Sequence, residues 1–202
     1  MNRQLRLASA LAAAALWCSM PAHAGPAPSV VTNGNAWSIT AYDDSSPSHT
    51  QWATQNICFF VTGAVGTQLA GYWYSTSFYD WNGTWRQEGD QVFMTGDYAG
   101  DVNGNAVGHD GMEWQIFTAE KAAQGYGHWK EWRENGGMGT VIGYANARLV
   151  RTGTCTFQPP AGIDSATLER LLVQESMKAP RRYRADGKEA LGPTDVYQVP
   201  VQ

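Results

Sequence analysis

Between Ala36 and Phe157, aromatic and β-branched residues alternate with polar ones, and glycine interrupts them at short intervals. A period of two sends successive side chains to opposite faces of a strand, so this pattern builds sheet rather than helix. About eight runs carry it. Trp37, Ile39 and Ala41 mark the first, and 56–62, with Ile57, Phe59, Phe60 and Val61, the second. The third, 71–79, is almost wholly aromatic and hydroxyl-bearing; the fourth is 84–88. The fifth, 91–98, puts Val92, Met94 and Tyr98 on one face, and Met112, Trp114 and Ile116 share a face in the sixth. The seventh, 128–133, carries Trp129 and Trp132; the last, 140–151, aligns Val141, Gly143, Ala145, Ala147 and Leu149. Asn82-Gly83 reads as a two-residue hairpin turn. Gly89-Asp90, Asn103-Gly104-Asn105 and Asn135-Gly136-Gly137 supply further turns.

Connections this short make sequential strands neighbours. The expected fold is an all-β, antiparallel up-and-down barrel of about eight strands, with a β-sandwich as the alternative. Eight strands enclose just enough space to be filled by side chains or to hold one small ligand. Composition agrees: charged residues make up 16% and there are 22 Gly, 9 Trp and 9 Tyr, which excludes a coiled coil and disorder over most of the chain. A net charge of −4 gives no basic footprint for nucleic acid.

Residues 1–24 read as a signal peptide. Arg3 and Arg6 open it, an apolar run follows from Leu7 to Met20, and Ala22-His23-Ala24 matches a small-x-small cleavage site. The run is too short to span a bilayer, which needs about 20 residues. Trp17 before Cys18 does not fit a lipidation signal, and no other stretch suits a membrane span. The expected product is exported, periplasmic or secreted, and begins at Gly25.

Two cysteines then remain, Cys58 and Cys155. In an oxidising compartment they read as one disulfide, which the loop-entropy model values at about 4–5 kcal/mol for a loop of this size. The bridge would join an early strand to the segment after the last one, at the seam where a meander closes.

Residues 25–35 (Gly, Pro, Ser, Asn) read as a flexible lead into a barrel domain over 36–158. Pro159-Pro160 marks a composition break, and 159–202 reads as a helix and mobile tail. Leu168, Leu171, Leu172 and Met177 recur near helical spacing over 166–178, Asp164 or Ser165 can cap the start, and Pro180 stops the helix.

The leader, the strand count and the Gly-x-Trp sequences Gly71-Tyr72-Trp73 and Gly83-Thr84-Trp85 resemble the calycin group of secreted lipocalin-like and avidin-like barrels. The resemblance covers about residues 36–157 at the level of pattern. It implies the barrel architecture and ligand binding, and no individual site residue.

The chemistry-bearing motifs are few. His109-Asp110-Gly111-Met112-Glu113, with His128, holds metal-ligand types, but its glycines and the lack of a second nearby histidine favour an ordinary polar edge; no metal and no cofactor are expected. There is no Gly-x-Ser-x-Gly elbow and no Walker-type loop. Most aspartates sit beside glycine or serine, as turn residues do. Asn82-Gly83-Thr84 also matches a glycosylation sequon. The anomaly is tryptophan, eight of them after the leader: large rings with a polar handle suit apolar ligands, sugar faces and partner surfaces.

The expected function is an exported barrel that binds a small apolar or aromatic ligand, with carbohydrate as a further possibility. Trp73, Tyr79, Trp85, Trp114 and Trp129 are the expected lining, and Asp97 and Glu113 the acids to inspect. An acidic strand region should prefer neutral or cationic ligands to anions. Two alternatives stand beside it: a periplasmic inhibitor or interaction module acting through a loop or exposed aromatic strip, and an isomerase or cyclase using a buried carboxyl group in the barrel.

Overall fold

The computed structural model describes residues 33–43, 48, 51–66, 68–89, 91–98, 108–117, 124–135 and 138–182. The expected leader and the chain beyond 182 lie outside the described residues. So do some strand side chains, among them those of Trp52, Tyr98, 108–117, 124–126 and 131–144.

Eight antiparallel strands form a closed barrel in chain order: β1 (Asn35–Asp43), β2 (Gln51–Val65), β3 (Gln68–Ser75), β4 (Asn82–Glu88), β5 (Gln91–Tyr98), β6 (Gly108–Phe117), β7 (Gln124–Asn135) and β8 (Met138–Thr154). β1 closes the barrel by pairing with β8 from Asn35↔Thr154 to Asp43↔Ala145. Closure leaves no open sheet edge. One helix follows, α1 (Ser165–Ser176).

Alternation divides the side chains into two layers. Inside are Trp37, Ile39, Ile57, Phe59, Trp73, Trp85, Val92, Met94, Trp129 and Leu149, all buried. Outside, the intervening residues Cys58, Phe60 and Tyr74 pack with Cys155, Leu168 and Leu172 beneath α1. The expected disulfide is present: Cys58 and Cys155 are bonded with Cα atoms 5.8 Å apart. Cys58 pairs with Ala36, and Ala36 with Gly153, so the bridge passes across the outside of β1 and fastens β2 to the end of β8.

Three local readings are corrected. The third strand ends at Ser75, short of Tyr79, because Ser75 Oγ accepts from the amides of Ser77 (3.1 Å) and Phe78 (3.0 Å) and turns the chain. Asn82-Gly83 is not the hairpin turn: it opens β4, pairing with Tyr74 and Trp73, and the turn is 76–81. Gly83 is needed for close approach, since a Cβ there would run into Thr95 O and Gly96 Cα of β5. The flexible lead ends earlier than 35: Gly34 donates to Phe59 O (2.8 Å), Cys155 N to Gly34 O (2.7 Å), and Asn33 Oδ1 accepts from Val61 N (3.1 Å). Gly34 has φ 76°, a left-handed conformation that glycine adopts without penalty.

α1 lies against the outside of β3 and β4. Asp164 caps it, accepting from Thr167 N (2.8 Å) and Thr167 Oγ1 (2.9 Å). These bonds hold the Asp164 carboxyl below the ordinary aspartate range. Leu168 and Leu172 are buried, but Met177, expected on the packing face, is the C-cap and is 47% exposed. The helix stops four residues before Pro180, where Met177 N, Lys178 N and Ala179 N turn back onto Val173 O, Glu175 O and Ser176 O.

Candidate functional site

The two Gly-x-Trp sequences face each other across one ladder. Gly71 pairs with Trp85, and Trp73 with Gly83. The missing Cβ lets each indole pass over the glycine opposite it. Trp73 Nε1 thereby reaches Thr95 O on β5 (2.9 Å). Trp85 Nε1 donates to Tyr72 O (3.0 Å) and Phe60 O (3.3 Å), with its ring 3.0 Å from where a Gly71 Cβ would stand. Both tryptophans are buried, and both N–H groups are engaged by backbone carbonyls. Their rings bind the wall of the barrel together.

A different set of interior polar atoms is not engaged. Gln55 is fully buried, and neither Oε1 nor Nε2 has a hydrogen-bond partner; the indole Nε1 atoms of Trp37 and Trp129 are likewise buried and unpartnered. Gln55 pairs with Ile39 and Trp37 with Ile57, which makes Gln55 and Trp37 diagonal neighbours on the inner face of β1 and β2. Leaving such a group unsatisfied costs about 1–3 kcal/mol. By contrast, interior Gln87 donates to Gly89 O at 2.7 Å. Asn35 Nδ2 is also unpartnered, while Asn35 Oδ1 accepts from Arg151 Nη2 (3.0 Å). No charged residue is buried among the described residues.

One end of the barrel is covered by the 76–81 turn. Phe78 and Trp81 fold into the interior cluster, and Trp81 meets Trp129 edge-on with centroids 6.2 Å apart. The last residue of α1 and the chain after it strap this turn from outside. Asp80 N donates to Ser176 O (3.1 Å), Arg182 Nε to Ser77 O (3.3 Å), and the Arg181 guanidinium lies 4.1 Å over the Tyr79 ring. The strap accounts for Asn82 as well: its amide nitrogen meets Asp80 O (3.3 Å) and Ser176 Oγ (3.4 Å), which sets it inside the turn–helix contact rather than out in solvent as a sequon asparagine.

The expected site residues therefore separate. Trp73, Trp85 and Trp129 are interior. Tyr79 is half-buried in the turn under Arg181 and is not on a strand wall. Asp97 is exposed, on the face of β5 opposite Val92 and Met94; a strand position alone did not tell which face it takes. Trp114 and Glu113 stand in β6, paired with Val92 and Phe93, and their side chains lie outside the described residues, as do those of His109 and Asp110. Among the described residues no group of His, Cys, Asp or Glu is placed to hold a metal. The expected second strand, 56–62, starts five residues after the observed start of β2 at Gln51 and so leaves Gln55 out. The signal was there: Gln55 continues the inner stripe of Ile57 and Phe59, a polar residue at an apolar position.

Outside the barrel, an open groove of about 340 Å³ lies over β2–β5, lined by Thr62, Tyr72, Thr84, Arg86, Phe93 and Thr95 among others. Arg86 rests 4.5 Å over the Phe93 ring. A second hollow of about 260 Å³ lies beside the helix, between Tyr74, Phe157, Glu175 and Lys178. Burial, and then the charge of Glu175, push the Tyr74 hydroxyl up to about 12.

Comparison with protein-family models, curated proteins and solved structures finds no match to this chain. The disulfide stands, and among the described residues no helix is long and apolar enough to cross a membrane.

Proposed function

We propose that the protein is an exported binding barrel of calycin type that takes a small, mostly apolar ligand among its interior rings. The observation that carries this reading is Gln55. A carboxamide at 0% exposure, unpartnered at both ends and set beside Ile39, is costly unless its purpose is to meet something other than protein. Export rests on the leader sequence and is supported by the disulfide, which persists in oxidising compartments.

Ligand that binds only the folded form raises the melting temperature by mass action. Melting followed by circular dichroism should shift upward with at least one of ethylbenzene, acetophenone, benzylammonium and glucose. If all four leave it unchanged, binding in the interior is wrong and the outer groove becomes the better surface. That groove supports the interaction reading, since its aromatic and hydroxyl lining is open and carries a cation. The isomerase reading requires a buried carboxyl group, and among the described residues none is buried.

A further inference from the structure

Resting on the interior-binding reading, we infer the chemical class of the ligand: an uncharged, mostly apolar molecule whose carbonyl oxygen is held by Gln55 and Trp37. The two side chains are diagonal neighbours on β1 and β2 and face inward together. Between them they offer two kinds of donor, the Gln55 Nε2 amide and the Trp37 Nε1 indole, and one acceptor, Gln55 Oε1; none has a protein partner. Donors outnumber acceptors, and indole is a donor only. The matching ligand group is therefore an oxygen acceptor with two lone pairs, which a carbonyl provides. The described interior residues next to the pair in register are Ile39, Ile57, Phe59 and Leu149, all at 0% exposure, so the body of the ligand is apolar.

The described residues beside the pair favour an uncharged ligand. The described buried residues include no Lys, Arg, Asp or Glu. A carboxylate or ammonium beside Gln55 and Trp37 would lose its hydration and meet no opposite charge among the described residues. The preference for cations expected from the acidic composition does not extend to this pair, since composition acts at the surface and the pair lies inside.

The test compares ligands of one shape in calorimetric titrations of the full-length protein. Acetophenone carries the carbonyl, ethylbenzene lacks it, and benzoate adds a charge. Acetophenone should bind about tenfold more tightly than ethylbenzene, the effect of about one hydrogen bond, and benzoate more weakly than either. Trp37→Phe keeps a ring and removes the N–H; Gln55→Leu removes both amide atoms. Each removes one of the two donors and should cut the preference for acetophenone over ethylbenzene, both titrated against the same variant, from about tenfold to about threefold, with folding checked by circular dichroism. If ethylbenzene matches acetophenone in the unsubstituted protein, or if folded Trp37→Phe keeps the tenfold difference, the assignment to a carbonyl is overturned while interior binding survives. If none of the three binds, interior binding falls and the assignment falls with it. Should Gln55→Leu fail to fold, Trp37→Phe alone decides.

Discussion

Phe59 and Phe60 are consecutive residues of one strand, and they belong to two differently built regions. Phe59 points into the barrel, where it meets Trp37 and Trp85 edge-on at 6.4 and 5.8 Å. Phe60 points out, stacks on Tyr74 at 6.0 Å, and lies under α1 beside the disulfide. The outer layer is fastened by a covalent bond, a capped helix and side-chain hydrogen bonds such as Tyr72 to Glu169 at 3.2 Å. The inner layer is as deeply buried, yet Gln55, Trp37 and Trp129 leave polar atoms unengaged there. Burial by itself does not distinguish the two layers. Hydrogen-bond satisfaction does, because a stable core has no reason to keep donors without acceptors.

The comparison can be broken most forcefully at the disulfide. Replacing Cys58 and Cys155 together by Ser removes a link across 97 residues and should cost about 4–5 kcal/mol, read as a lower urea midpoint. Probe binding per folded molecule should survive. If binding disappears while the barrel remains folded, the outer layer is not merely scaffold. The next effect is alkaline. Burial and Glu175 raise Tyr74 from 10.0 to about 12, so the folded state favours the neutral phenol. That stability is complete below pH 10 and is lost as pH rises toward about 12. Tyr74→Phe should flatten this part of the stability curve; an unchanged alkaline limb would place the cause elsewhere. The smallest effect concerns Asp164. Its lowered carboxyl pKa means its contribution is present above the ordinary aspartate value and is lost as pH falls through the lowered one. Asp164→Ala should fray the start of α1, seen as faster amide exchange near Thr167, and leave the exchange of Trp37 and Gln55 unaltered.

Strand number, barrel closure and the cysteine pair were legible because each follows from a local rule repeated along the chain. Alternation marks strands, short glycine turns make neighbours, and two cysteines in an oxidising compartment pair. The errors came where one residue type serves two purposes. Gly83 was read as a turn residue because Asn-Gly is the usual hairpin signal, but its role is to let Trp73 cross to Thr95. Asp97 sits in a strand, and nothing local says which face a lone acid takes at a position beside Gly96. The number of tryptophans does not distinguish Trp73 and Trp85, whose N–H groups bind backbone, from Trp37 and Trp129. That distinction depends on which carbonyl lies across the sheet, information that is held in register rather than in sequence spacing.

The pairing of the first strand with the last also sets an order of events. β1 gains one neighbour as soon as β2 is available, but its other edge waits for residues 138–154. A chain made from its N-terminus carries that open edge through most of its synthesis, in a form that can pair with another copy. Contacts so distant in sequence form late and slowly. Cys155 arrives just after the strand that closes the edge, so its bond to Cys58 can report completion: the thiols meet only when the ring of strands has shut.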